Sequence, residues 1–198
     1  MSGALFAEQL LNGLQFGVML FVMAAGLTLV FGVMGLINLA HGSLYMLGAF
    51  ACAAVAAATG SFVLGLAASL AAAAIAGVLV ETLIIRHLYA RDHLDQVIAT
   101  FALILVFTEG TRWAFGSFPL YLNLPDALSG SVSLPGGITY PLFRLLIIGV
   151  GLAIAAGLFL LVNRTRLGMR IRAGESDREM IAALGVDIGR LYTIVFAL

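Results

Sequence analysis

Few side chains of this sequence could do chemistry, and two of them stand inside a long apolar stretch. Asn38 and His41 lie three residues apart, about one helical turn, and Gly42 follows. Residues 9–80 contain no Asp, Glu, Lys or Arg. Polar groups in such a setting either line a pathway or bridge a helix break by hydrogen-bonding the backbone. We favour bridging and keep Asn38, His41 and Gly42 as candidate pathway residues.

A second polar pair stands at the end of a later apolar segment. Glu109 and Arg112 are one turn apart, so a helix would bring them into an ion pair beside Trp113. Their position predicts the outer rim of a membrane span rather than its midplane. An anchoring or packing role is favoured over one in selecting a substrate.

The segment from Ser176 to Gly185 carries the signals of a short helix. Ser176 followed by Glu179 has the spacing of a capping box, which predicts a helix start. Gly185 is a suitable residue for the helix end. We therefore expect a two-turn helix between Ser176 and Gly185.

This short helix is expected to be amphipathic. Its apolar residues are predicted to share one face, with Asp177 on the polar side: Met180, Ile181 and Leu184. Two turns bury too little apolar area to anchor a protein to lipid. The pattern therefore favours insertion into the groove of a partner protein.

The charged residues exclude several kinds of chemistry. All ten positive charges are arginines, so the chain has no lysine for a P-loop or a Schiff base. Ten acidic residues balance them, which disfavours nucleic-acid binding. Cys52 is the single cysteine and rules out an internal disulfide or a cysteine metal site. We expect no catalytic residue, metal or cofactor.

The composition is that of a membrane protein. Hydrophobic residues make up 62% of the chain and charged residues 10%, against about 25% charged in soluble domains. Residues 9–80 would form a helix of about 108 Å, far longer than one crossing of about 20 residues. We predict an all-α polytopic protein with one transmembrane domain over 1–198, a helix break near Asn38–Gly42, and spans at 10–33, 38–58, 62–84, 97–115 and 145–162.

The arginines predict the orientation of these spans. Eight of them lie in two connectors, residues 85–96 and 163–190. The positive-inside rule assigns both connectors to the cytoplasm. The loop 116–144 is then external, with a small hairpin around Pro135, and the N-terminus is extracytoplasmic. Trp113, Tyr121 and Tyr140 stand at outer span ends, where aromatic belts form.

The last segment, residues 191–198, would cover only about 12 Å as a helix and cannot cross a bilayer. It is either an interfacial tail or the start of a sixth span. We favour an incomplete sixth span in a truncated chain.

The sequence resembles the inner-membrane permeases of ABC importers for branched-chain amino acids, of the LivH type. The resemblance runs along the whole chain and is most specific at residues 26–42 and 164–185. Permeases of importers carry a cytoplasmic motif of Glu-Ala-Ala, three residues and Gly that docks on the ATPase. Glu179 and Gly185 keep its spacing, whereas Met180 and Ile181 replace the alanines.

The resemblance implies a bacterial inner-membrane transport subunit that is not itself an enzyme. Its implied partners are a second related permease, two ATP-binding subunits, an extracytoplasmic substrate-binding protein and the lipid bilayer. The substrates implied are branched-chain amino acids or related small amides such as urea. The alternative is a channel or ion-coupled carrier that works without ATPases, which predicts ionisable groups at midplane depth.

Overall fold

The computed structural model describes residues 3–118, 120–135 and 137–197, and most of them are helical. The elements are α1 (Gly3–Met34), α2 (His41–Thr59), α3 (Phe62–Leu83), a 3-10 helix (Ile85–Leu88), α4 (His93–Phe115), α5 (Asp126–Ser129), β1 (Ser131–Leu134), β2 (Ile138–Pro141), α6 (Leu142–Arg164), α7 (Arg166–Ser176), α8 (Arg178–Ala183) and α9 (Ile188–Ala197). Pro119, Gly136 and Leu198, which the sequence assigns to the loop, its turn and the last segment, lie outside the described residues.

Within the described part, α1, α2, α3, α4 and α6 are each long and apolar enough to cross a membrane. The predicted all-α polytopic class is confirmed. Three helices begin earlier than the predicted spans: α1 at Gly3 rather than residue 10, α4 at His93 rather than 97, and α6 at Leu142 rather than 145. In contrast, α2 begins later, at His41 rather than residue 38. Glu8 and Arg144 limit the apolar runs, but a single charge near a helix end leaves the backbone hydrogen bonds intact.

The chain divides into two compact units. The first consists of the chain up to Ala25 and of Leu124–Met169. In it β1 and β2 form the expected hairpin, an antiparallel pair in which Val132 lies opposite Tyr140.

Tyr140 is not a belt residue, contrary to the sequence prediction. Its side chain is fully buried, and its hydroxyl donates to Oδ1 of Asn12 in α1 at 3.0 Å. Arg144 donates to the same oxygen at 2.6 Å. A tyrosine hydroxyl that finds an internal acceptor can be buried with the ring, and here it fastens the hairpin to α1.

The second unit contains Gly26–Asn123 and the chain from Arg170 onward. Here α2 and α3 form an antiparallel hairpin that turns at Gly60, whose φ of +69° favours glycine. The two helices approach closely because Gly65 has no side chain: a Cβ there would lie 2.7 Å from the carbonyl oxygen of Cys52.

Helix α9 packs antiparallel against the second half of α3. A Cβ on Gly77 would lie 3.0 Å from the carbonyl oxygen of Phe196, and one turn further along α3 Glu81 meets Thr193. The apolar side chains of α9 that are buried in this unit are Leu191, Tyr192, Val195 and Phe196.

Candidate functional site

The first predicted site lies at the break between α1 and α2: Asn38 is in the break, whereas His41 and Gly42 are the first residues of α2. α1 ends at Met34, and α2 begins at His41. Gly35 has φ +62°, and its N–H donates to the carbonyl of Phe31 at 2.7 Å. A glycine in the left-handed conformation is a common helix terminator. The chain between the helices is therefore a sharp, irregular turn of six residues.

Asn38 is buried in this break, with 2% of its surface exposed. Its Oδ1 accepts a hydrogen bond from the backbone N–H of Ala40 at 3.0 Å, a contact of the bridging kind. Among the described residues its Nδ2 has no hydrogen-bond partner. A buried donor left in this state costs about 1–3 kcal/mol. The break therefore holds one polar group that is satisfied and one that could bind an added acceptor.

His41 lies against α1 rather than in open space. A Cβ on Gly26 would be 3.1 Å from both Nε2 and Cε1 of the imidazole, so the missing side chain at Gly26 makes room for the ring. Around Gly42, a Cβ would meet nothing within 4 Å of the described chain. Close packing thus explains Gly26, which the sequence did not single out for this role, and leaves Gly42 unexplained.

The predicted short helix is present as α8, but its cap differs from the prediction. Ser176 is the last residue of α7, and Asp177 caps α8 by accepting from the N–H of Met180 at 2.9 Å. The capping box of Ser176 with Glu179 is therefore wrong. The N–H of Asp177 still bonds to the carbonyl of Ala173, which holds Ser176 inside α7. Aspartate caps a helix as well as serine does.

The end of α8 is as predicted. Gly185 has φ +86°, and its N–H donates to the carbonyl of Ala182 at 3.0 Å. The N–H of Val186 reaches the carbonyl of Ile181 at 3.1 Å. This pair of bonds is a Schellman motif, and glycine suits it because of the positive φ.

The three apolar residues of α8 and its cap do not share one face, contrary to the sequence prediction. Ile181 is buried, whereas Met180 and Leu184 are 61% and 76% exposed. A Cβ on Gly174 in α7 would lie 3.2 Å from Cδ1 of Ile181. Ile181 thus fastens α8 to its own chain, and Met180 and Leu184 are left as an apolar pair on the surface of this unit, beside the exposed Glu179.

A buried carboxylate forms a site that the sequence analysis missed. Glu81 lies near the end of α3 and is fully buried. Its Oε2 accepts from Nη2 of Arg86 at 3.2 Å and from the hydroxyl of Thr193 at 2.8 Å. Its Oε1 accepts from Nε of Arg86 at 3.4 Å and from the hydroxyl of Tyr89 at 3.3 Å. The arrangement satisfies a buried charge through one guanidinium and two hydroxyls.

The neighbours of Glu81 respond to its charge. Hydrogen bonding and attraction to Glu81 raise the pKa of Arg86, which keeps the guanidinium charged. Burial, and next the charge of Glu81, raise the pKa of Tyr89, so its hydroxyl keeps the proton that it donates. Tyr89 also packs edge-on against Tyr192 of α9, with ring centroids 4.8 Å apart.

A cavity of about 360 Å³ adjoins this cluster and is lined by Arg86, Asp187, Gly189, Arg190, Thr193 and Ile194. Arg190 pairs with Asp187 at 3.1 Å, and Arg86 pairs with Glu81. Each arginine is thus matched by a carboxylate, so the cavity has no excess positive charge for an anion. Among the described residues no group of three or more His, Cys, Asp and Glu could hold a metal ion.

Glu109 and Arg112 form the ion pair that their spacing predicts. Nη1 of Arg112 lies 3.0 Å from Oε1 of Glu109, and both side chains are largely exposed. A pair in such a position contributes about 0.2–1 kcal/mol in water. The pair stands in the last two turns of α4.

Comparison with known proteins gives a consistent result. The model of the family described as "Branched-chain amino acid transport system / permease component" matches residues 9–198. The chain is 27% identical to the high-affinity branched-chain amino acid transport system permease protein BraD of Pseudomonas aeruginosa. It is 26% identical to the permease protein LivH of the corresponding system in Escherichia coli K12. Both alignments cover 98% of this chain and 66% of the relative. No solved structure matches.

Proposed function

Because the chain belongs to the family of permease components of branched-chain amino acid transport systems, we propose that it is the membrane permease subunit of an ATP-driven importer. Its substrates are branched-chain amino acids or chemically related small amides. It is a multi-pass inner-membrane protein. ATP is hydrolysed by two separate subunits, a second permease completes the pathway, and an extracytoplasmic binding protein delivers the substrate.

The exposed apolar pair on α8 supports this proposal most directly. Met180 and Leu184 are exposed on a short helix whose two ends are capped and whose third apolar residue, Ile181, is buried. A rigid helix that presents apolar side chains suits a groove in a partner protein. We assign this helix to docking on the ATPase subunit, with Glu179 and Gly185 at the ends of the docking motif.

The orientation of the chain follows from its arginines. The connectors that contain Arg86 and Arg170 are cytoplasmic, the hairpin loop is external, and the N-terminus is extracytoplasmic. Docking on a cytoplasmic ATPase requires α8 on that side, so the charge rule and the assignment of α8 agree.

The break between α1 and α2 is the proposed border of the pathway. Asn38 combines a backbone contact through Oδ1 with a buried Nδ2 that has no acceptor among the described residues. A substrate carboxylate or a water molecule would supply that acceptor. His41 and Gly42 begin the helix that follows and shape the same border.

The test is a double substitution, Met180→Ala with Leu184→Ala, in the transporter assembled with its ATPases. Loss of the apolar pair should weaken retention of the ATPase in pull-downs and lower ATP-dependent uptake of leucine by about tenfold. The reason is that a few residues supply most of the binding energy of an interface. Met169→Ala is the matched control, because Met169 is 60% exposed but lies in α7.

Two results would contradict the proposal. Unchanged uptake in the double variant would show that the apolar pair of α8 does not dock on the ATPase. Uptake by the unaltered transporter that continues without ATP and collapses with the ion gradient would favour an ion-coupled carrier.

A further inference from the structure

Glu81 raises a question that the proposed function does not answer. A carboxylate is costly to bury, and this one stands at the end of a membrane-spanning helix with no exposed surface. Its partners come from three places: Arg86 from the 3-10 helix, Tyr89 from the turn after it, and Thr193 from α9. Thr193 is 112 residues away in sequence, so the cluster joins distant parts of one unit.

The same unit connects α8 to α9. Gly174 at the end of α7 is the meeting point: a Cβ there would lie 3.2 Å from Ile181 of α8 and 3.5 Å from Leu191 of α9. Leu191 and Thr193 are two residues apart on α9. Gly174 thus adjoins both Ile181 and Leu191, and the helix α9 itself joins Leu191 to Thr193, which bonds to Glu81 on α3.

These contacts differ in how firmly they hold. The packing at Gly174 is apolar and non-directional. In contrast, Glu81 accepts from Thr193 at 2.8 Å, and Nη2 of Arg86 donates to the same hydroxyl at 3.3 Å. Directional bonds to a buried charge resist sliding, because breaking one leaves the charge under-solvated. The α3–α9 contact is thus fixed in register at Glu81.

We propose that Glu81 is a positioning residue which, through Thr193, fastens α9 to α3 so that movement of α8 is transmitted to this span. The inference rests on the proposed function, since it gives α8 a partner whose ATP hydrolysis moves it. Coupling is then carried by a clasp of one carboxylate, one guanidinium and two hydroxyls, and not by apolar contact alone.

The test compares two substitutions of Thr193 in the assembled transporter in proteoliposomes. Thr193→Val keeps the shape but removes the hydroxyl, whereas Thr193→Ser keeps the hydroxyl. The readout is the number of ATP molecules hydrolysed per substrate molecule transported. We expect Thr193→Val to raise this ratio about fivefold with ATP hydrolysis retained, and Thr193→Ser to leave it near the original value.

Thr82→Val is the matched control. Thr82 neighbours Glu81, but its hydroxyl bonds within α3, to the carbonyl of Val78 at 2.7 Å. Its loss should leave the ratio unchanged. An effect of Thr82→Val as large as that of Thr193→Val would show general damage to α3 and overturn the inference.

Tyr89→Phe supplies a second, milder variant if Thr193→Val does not assemble. It removes one bond to Glu81 and keeps the ring that packs on Tyr192. A ratio that rises in Tyr89→Phe supports the clasp. An unchanged ratio in every clasp variant that assembles overturns it, while ATP-dependent uptake by the unaltered transporter leaves the proposed function standing. Absence of that uptake overturns both.

Discussion

At the scale of single residues, two of the buried polar side chains, Glu81 and Asn38, differ in how far their hydrogen bonds are satisfied. Glu81 is surrounded by donors from Arg86, Tyr89 and Thr193. Asn38 has one group bonded, and its Nδ2 has no partner among the described residues. A fully satisfied group favours a structural role, whereas an unsatisfied one is free to bind something else. The two residues therefore call for different experiments.

The substitution Asn38→Leu separates bridging from a pathway role. It removes Oδ1, the acceptor of the Ala40 N–H, which destabilises the fold by about 1–3 kcal/mol. It also removes the buried, unpaired Nδ2, which stabilises the fold by a similar amount. We expect the midpoint of thermal unfolding in detergent to change little and uptake to fall. A sharp drop in that midpoint would instead show that Asn38 is a structural bridge. Asn38→Ala, which leaves a cavity, is the control for the change in side-chain volume.

At the scale of elements, α8 depends on its caps because six residues make few internal hydrogen bonds. Asp177 closes the start and Gly185 the end. A short helix without caps frays readily. In the proposed docking role, α8 would take its rigidity from the residues on either side of it.

Substitution Asp177→Ala should loosen α8. Loss of an N-cap costs about 0.5–2 kcal/mol, which corresponds to roughly 2- to 30-fold faster amide exchange. Hydrogen exchange measured on peptides that cover α8 would show this. Ser176→Ala is the control, because Ser176 ends α7 and does not cap α8. If amide exchange of α8 were faster in Ser176→Ala and unchanged in Asp177→Ala, Ser176 and not Asp177 would be the cap of α8.

The elements were largely predictable from the sequence, and their side-chain partners were not. Long uncharged runs mark helices that cross a membrane, and Gly185 marks an end, because these signals are local. The bond between Glu81 and Thr193 joins positions 112 residues apart, and that between Tyr140 and Asn12 joins positions 128 apart. No periodicity reports such a distance. An acidic residue at the end of an apolar run was the visible hint for Glu81.

At the scale of the whole molecule, the proposed orientation rests on the scarce charges. Eight of the ten arginines lie in the two predicted cytoplasmic connectors. Moving arginines across a bilayer is costly, so the connectors stay where they are made. In the proposed topology, an odd number of crossings before the first connector would place the N-terminus outside.

Cysteine labelling tests this orientation, and the chain is well suited to it because Cys52 is its single cysteine. In a Cys52→Ser background, Ser131→Cys reports on the hairpin and Ser176→Cys on the second connector; both positions are exposed. A membrane-impermeant maleimide applied to intact spheroplasts should label Ser131→Cys, and should label Ser176→Cys only after permeabilisation. The Cys52→Ser parent is the blank. Labelling of Ser176→Cys in intact spheroplasts would show that the topology is the reverse of the proposed one. Because α8 would then face away from any cytoplasmic ATPase, that result would also contradict the docking role.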